Sequence, residues 1–275
     1  MGRAMELVAG FATNPGATLT TLVPSTNTSF TVRGTDTTKP TWLASAFAFN
    51  GTAGELVIKS PRLHDNVQGI RNRVTAAFTT PLISTPYQYA FLQRLFAQDN
   101  LTVQLSGGAA ELDNAAIIIL YEDLAGVAGR FIDIPTLTKS GLNYVTAEVT
   151  VVAVATGNFG GAVAINSTFD TLKANTDYAI VGGMTDTRGC AVGITGVDLG
   201  NLRVGFPAEP TLRDLTNDWF VNLTAAVGKP YIPVINSANK SAITIDVNTN
   251  GAGGTYIINL LLVEMAPGAV PAAGQ

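Results

Sequence analysis

The chain writes one passage twice. Leu101 to Leu124 reads LTVQLSGGAAELDNAAIIILYEDL, and Ile243 to Ala266 reads ITIDVNTNGAGGTYIINLLLVEMA. Each opens on a short alternating strand, passes through a Gly/Ala/Asn turn, and closes on an aliphatic run with a glutamate near its end. A closing element used twice requires two units of similar build, so the repeat constrains architecture before any residue is given a role. Each passage reads as a closing hairpin, with Asn250-Gly251 as the tight turn of the second.

Shifted by 136 residues, Trp42 falls on Tyr178, Leu56 on Val192, Ile58 on Ile194 and Leu63 on Leu199. Shifted by 142, Leu101 falls on Ile243, Val103 on Ile245, Leu105 on Val247 and Glu122 on Glu264. The change of register falls where the alternating pattern gives way to helical spacing. In TPYQYAFLQRLFAQDN the helical positions are Phe91, Leu92, Leu95 and Phe96. In TLRDLTNDWFVNLTAAVG they are Leu212, Leu215, Trp219, Phe220 and Leu223, with Thr211 as N-cap and Gly228 as stop. Elsewhere runs such as LASAFAF, GELVIKS and YVTAEVTVVAVA alternate with Gly- and Asn-bearing turns. The pattern predicts an all-β chain of two tandem β-sandwiches, each with one short helix before its last two strands. The expected divisions are an N-terminal arm over 1–18, a first sandwich over 19–130, a second over 131–265 and a flexible tail over 266–275.

Charged residues make up only 13% of the 275, and the formal net charge is −4. Much of the surface is then neutral, which neighbouring subunits can cover without desolvating many ions. A basic domain of the kind that specific nucleic-acid recognition uses is missing. The densest basic stretch, with Lys59, Arg62, Arg71 and Arg73, lacks the interleaved aromatics of a base-stacking platform. Cys190 is alone, so no intramolecular disulfide can form, and its apolar flanks mark it as a buried small hydrophobe. The first residues lack the long apolar core of a signal peptide, and no run approaches a membrane span. The expectation is a chain made in the cytosol that stays soluble or assembles there.

Catalytic chemistry is thinly represented. His64 is the single histidine, which leaves no multi-histidine metal site and only one base for a Ser-His-Asp arrangement. No phosphate-binding glycine loop occurs. DVNTNG, Asp246 to Gly251, matches the opening of a calcium loop, but Ile257 stands where the glutamate should be; a weak calcium site from Asp246 and Asn248 stays open. Glu111, Asp113, Glu122 and Asp123 have no spacing that would set two carboxylates across a cleft. Glu122 and Glu264 read as strand-end residues that accept hydrogen bonds or pair with an arginine. No catalytic, cofactor-binding or metal residue is assigned, and the chain reads as other than an enzyme.

Two tandem β-sandwiches, each carrying a helix ahead of its closing strands, resemble the double jelly-roll major capsid proteins of icosahedral tailless viruses and phages. The resemblance covers roughly 19 to 265 and rests on the paired segments above, not on a signature motif. It implies two jelly rolls side by side, a homotrimer of pseudo-hexameric outline, and tiling of such capsomers into an icosahedral shell. The implied partners are further copies of the chain, minor capsid or penton proteins, and a membrane beneath the shell, with no specific nucleic-acid recognition. The implied location is the virion, assembled in the host cytoplasm. A phage decoration or fibre protein and a tandem glycan-binding sandwich are the alternatives, the latter requiring exposed aromatics that Trp42 and Trp219 do not promise.

Overall fold

The computed structural model describes residues 2–63, 67, 69–74, 93–108, 112–153, 156–165, 172–249 and 253–273. The first half holds β1 (Ala4–Thr13), β2 (Thr20–Thr21), β3 (Val23–Pro24), β4 (Thr41–Phe49) and β5 (Gly54–Lys59). It continues with β6 (Ile70–Val74), β7 (Gln93–Leu95), β8 (Thr102–Ser106) and β9 (Leu112–Tyr121). The second half opens with β10 (Phe131–Ile132), α1 (Ile134–Ser140), β11 (Gly141–Ala153) and β12 (Phe159–Ala164). Then come β13 (Asp177–Thr185), β14 (Ala191–Thr195), β15 (Arg203–Pro207), α2 (Arg213–Thr216) and α3 (Trp219–Val227). β16 (Ile232–Asn236), β17 (Thr244–Asn248) and β18 (Gly254–Met265) finish it.

All sheets are open and antiparallel. The first half pairs β3-β1-β9-β4-β7 in one sheet and β2-β8-β5-β6 in the other. The second pairs β10-β16-β13-β18-β11 and β12-β17-β14-β15. Set aside the short β3 and β10, and both halves show one scheme. First strand pairs with last, second with seventh, third with sixth, fourth with fifth, as when a long hairpin is wrapped into two facing layers. Between the layers of the first half lie Val8, Leu43, Leu56, Ile58, Val103, Leu105, Ile117 and Ile119. Their counterparts in the second half include Val149, Val151, Ile180, Val192, Ile194, Val204, Ile245, Val247, Ile258 and Leu260.

The repeat is visible in the ladders. Leu56 pairs with Leu105 and Ile58 with Val103, and Val192 pairs with Val247 and Ile194 with Ile245. The shifts of 136 and 142 therefore hold in the four-stranded sheets. In the five-stranded sheets they miss by one residue. A β-bulge interrupts β4 between Leu43 and Ser45, opposite Ile119 and Ile118; the matching bulge lies between Ile180 and Gly182, opposite Leu262 and Leu261. Leu43 thus corresponds to Ile180, and Ile119 to Leu262. Because side chains alternate, a one-residue slip exchanges faces. Trp42 accordingly packs on the outer face of its sandwich and Tyr178 inside its own.

Four further expectations are corrected. The repeated passages are not hairpins: β8 and β9 lie in opposite sheets, as do β17 and β18, so each connection crosses the sandwich. Alternating apolar residues are shared by a hairpin strand and a facing strand, and the pattern alone does not separate them. The arm over 1–18 contains β1, a buried strand between β3 and β9. The tail over 266–275 is partly docked: the Ala266 N–H donates to the Ser140 carbonyl at 2.8 Å, and Val270 packs with Ile132, Ile232 and Met265. Of the helix read across 85–100, the described residues 93–100 are not helical: Gln93–Leu95 form β7, where Leu95 is buried and its neighbours Arg94 and Phe96 are exposed, and Phe91 and Leu92 lie outside the described residues.

The second helical segment does form, broken at Asn217 and Asp218 into α2 and α3. Trp219, Phe220 and Leu223 give α3 its buried face. Gly228 ends it at φ 67°, left-handed backbone that glycine enters without a Cβ penalty, and its N–H donates to the Thr224 carbonyl. Thr211 does not cap; its hydroxyl donates to Glu209 Oε1 at 2.6 Å. Three strands follow the helices, not two, since β16 intervenes. α1 had no apolar periodicity to announce it. Asp133 caps it by accepting from the Thr136 N–H at 2.8 Å, with Pro135 in the first turn.

The halves share a core. Along β1 and β9, alternate residues Met5, Leu7, Ala9, Ala116, Ile118 and Leu120 face away from their own sandwich and join the apolar cluster of the second half. The first five-stranded sheet is thus buried on both faces, which explains the unbroken aliphatic run of β9. Gly205 of β15 makes the close approach possible. A Cβ there would stand 2.5 Å from Leu7 Cδ2 and 2.1 Å from the Val192 carbonyl oxygen.

Candidate functional site

The polar side chains that sequence chemistry singles out are scattered, and each described one is tied to a neighbour. Asp113 is fully buried and accepts from the Gly51 and Gly108 N–H groups, each at 3.0 Å. Glu122 pairs with Lys229, whose ammonium also stands 5.1 Å from the centroid of the Trp42 ring. Asp123 accepts from the Gly2 N–H at 3.0 Å and lies 3.5 Å from Lys39. Glu264 accepts from Lys173 at 2.6 Å and Asn143 at 3.0 Å, and these bonds hold its carboxyl below the usual carboxylate range. The two strand-end glutamates therefore accept hydrogen bonds, one of the two expected roles, and their ion-pair partners are lysines, not arginines. Cys190 is fully buried, and burial pushes its thiol up. His64 and Glu111 lie outside the described residues.

The two candidate ligands of the calcium site left open above are both engaged in other bonds. Asp246 Oδ2 accepts from Arg203 Nη2 at 2.8 Å and Oδ1 from Nε at 3.2 Å. Asn248 shares that strand face, but its carboxamide is engaged in bonds to other parts of the protein. A cation would have to displace an arginine, and a guanidinium already neutralises the carboxylate. Among the described residues no three His, Cys, Asp or Glu side chains converge as a metal cage.

Asn248 belongs to the most deeply buried polar cluster, at the seam between the halves. Its Nδ2 donates to Gly157 O at 2.8 Å and to Ser25 Oγ at 3.1 Å, while Ser25 Oγ donates to Gly157 O at 2.7 Å. Asn114 Nδ2 donates to Asn248 Oδ1 at 2.5 Å and to Thr249 O at 3.0 Å. Asn114 and Asn248 have no exposed surface. Apart from Asn114 Oδ1, the buried carboxamide atoms of this cluster have partners, and these come from both halves, so the network favours one docking geometry and penalises others. Asn248→Ala should cost about 1–3 kcal/mol by leaving the Asn114 amide short of an acceptor. A double-mutant cycle with Asn114→Ala, read by urea unfolding, should give a coupling of at least about 0.5 kcal/mol; strict additivity would contradict the network.

A second cluster anchors the crossing between halves. Arg130 donates to both oxygens of Asp177, at 2.8 and 2.7 Å, and its N–H donates to Asp198 O at 2.8 Å. Asn236 Nδ2 adds a bond to Asp177 Oδ1 at 2.7 Å. Burial raises the Asp177 carboxyl, but Arg130 and Asn236 outweigh it and hold the group below its ordinary value. Sequence reasoning missed both clusters. Their members are asparagines, aspartates and arginine in strands and turns, with no spacing that joins them.

Two open surfaces stand out among the described residues. A cleft of about 460 Å³ is lined by residues that include Ser29, Thr31, Arg33, Gln98 and Leu124. Arg33 at its edge is already bonded to Glu6 at 2.6 Å. The outer face of β11 is broader. Thr146, Thr150 and Val152 point outward and are exposed while Ala147, Val149, Val151 and Ala153 point inward and are buried. With Tyr144 at 61% exposure and Ile257 across the ladder, this face mixes threonines with apolar side chains; Glu148 lies on it, and Asp218 and Asp186 stand at its margin. Among the described residues no helix is long and apolar enough to cross a membrane.

No protein-family model matches the chain, and no curated protein matches it. The geometry therefore stands alone: bonded carboxylates, a welded seam, and one open sheet face of mixed threonine and apolar side chains.

Proposed function

We propose that the chain is a structural shell protein of the double jelly-roll class, which trimerises into a capsomer of pseudo-hexameric outline and tiles an icosahedral capsid. One observation carries the reading. The strand scheme in which first pairs with last and fourth with fifth occurs twice in one chain, and that scheme is the one a jelly roll would use, which supports the reading. The shared core and the asparagine seam hold the two sandwiches in a single arrangement, as a tile requires. Low charge suits flat sides that meet repeatedly, since few ions lose their water. Three copies would then place six similar sandwiches around one threefold axis.

Size-exclusion chromatography with light scattering, followed by negative-stain microscopy, tests this. Trimers, or shells and lattices built from them, are the expected result. A protein that stays monomeric at every concentration and instead binds glycans would overturn it.

A further inference from the structure

Four strands of the two five-stranded sheets correspond, but only the first sheet has its outer face covered on the side of its first and last strands. On the first sheet that face carries Met5, Leu7, Ile118 and Leu120, and the second half of the chain lies on it. On the second sheet α1, Val221 of α3 and residues 266–270 cover the side nearest β10 and β16, and the turn between α2 and α3 lies on Gly182 of β13. The β11–β18 side is open, with Thr150 opposite Ile257 and Val152 opposite Thr255. Val152 is 65% exposed. The edge differs too. In the first half β3 continues the sheet beyond β1, whereas β11, its 13-residue counterpart, ends its sheet among the described residues. Long edge strands with few charges are templates for pairing with another chain.

We infer that the outer face and edge of β11, with Ile257 and Thr255 of β18, form the contact with a second copy of this chain, which seats its first half there. The occupant follows from the repeat. The equivalent face of the first half is occupied by a neighbouring sandwich of the same build, and the next such sandwich available to the second half belongs to another molecule. The contact is head-to-tail, with different surfaces on the two partners, so it propagates to a ring or a filament and not to an isolated twofold dimer. Its mixed character, Thr and Val beside Tyr144 and Glu148, fits an interface formed after each chain has folded, whereas the seam inside the chain joins a continuous apolar cluster to its buried asparagine network. The inference rests on the shell reading and adds the face through which copies meet.

The test is the double variant Val152→Glu/Ile257→Glu, two like charges beside Glu148 on one face, with Val197→Lys as control, an exposed valine on a loop of the second half. Light scattering over a dilution series reads assembly, and far-ultraviolet circular dichroism with thermal melting reads folding. All three proteins should fold. Wild type and Val197→Lys should assemble alike, and the double variant should dissociate about 100-fold more readily, because charges would be buried without partners. Hydrogen exchange should show the amides of β11 protected in the wild-type assembly and released on dilution. A folded double variant that assembles like wild type would overturn this face while leaving the shell reading standing. A wild type that remains monomeric at every concentration would overturn both.

Discussion

Arg203→Ala should lower stability by about 3–5 kcal/mol, the usual consequence of leaving one partner of a buried ion pair behind. Arg203 and Asp246 have side-chain exposures of only 14% and 10%. The guanidinium also lies 3.9 Å from the centroid of the Phe159 ring, so the substitution removes a cation–π contact as well. Gly193 makes the room: a Cβ there would stand 2.3 Å from Asp246 Oδ1 and 2.6 Å from Arg203 Cδ. The loss should depend on pH. Burial pushes the Asp246 carboxyl above its ordinary value even with Arg203 pulling it down, and without Arg203 nothing opposes the rise. A carboxyl raised in the folded state holds its proton while the unfolded chain, with a value near about 3.9, has released it. Stability of the variant therefore falls as pH rises from that value through the raised one and levels off above it. Urea unfolding across acid to neutral pH checks this. Adding Asp246→Asn should recover part of the neutral-pH loss, and an Arg203→Ala penalty independent of pH would contradict the account.

Phe47→Ala should be comparably severe, about 3–5 kcal/mol, because the deleted ring leaves a cavity at the seam. Phe47 is fully buried and meets Trp219 edge to face, with centroids 6.1 Å apart and planes at 86°. The two tryptophans report on opposite sides of that contact, Trp42 on the first sheet and Trp219 on α3. A core shared by both halves should make them unfold together. Fluorescence and circular dichroism should therefore trace one transition, displaced to lower denaturant in the variant. If the variant shifted only one of two separate transitions, the halves would be independent folding units.

Strands with one solvated face were readable from the sequence, and so was α3, whose Trp219, Phe220 and Leu223 recur at helical spacing and whose Gly228 stops it. The four-stranded sheets were readable in register, since Leu56 and Val192 sit in clean alternation. β1 was not. Ala4–Thr13 is buried on both faces, so it has no polar alternation, and its small residues resemble those of a loose arm. The one-residue slip between the five-stranded sheets was hidden for a related reason. Ile117 to Leu120 and Leu260 to Val263 are aliphatic at every position, and a continuous apolar run matches itself at any offset. The polar clusters were illegible because Asn114, Asn248, Ser25 and Gly157 meet only when the halves dock.

The order of strands also sets an order in time. Ala4 pairs with Tyr121, and Gly141 with Met265, so the first strand of each half waits for the last. A nascent chain emerging N-terminus first cannot close either layer early. Through most of the synthesis of each half, β1 has only the two-residue β3 beside it, and β11 has no ladder partner among the described residues. Contacts of such long sequence separation also make closure slow once the chain is complete. The scarcity of charge that suits a close-packed surface offers little protection in that interval. The interval between synthesis and closure, more than the finished fold, is where this chain is most exposed to sticking to its neighbours.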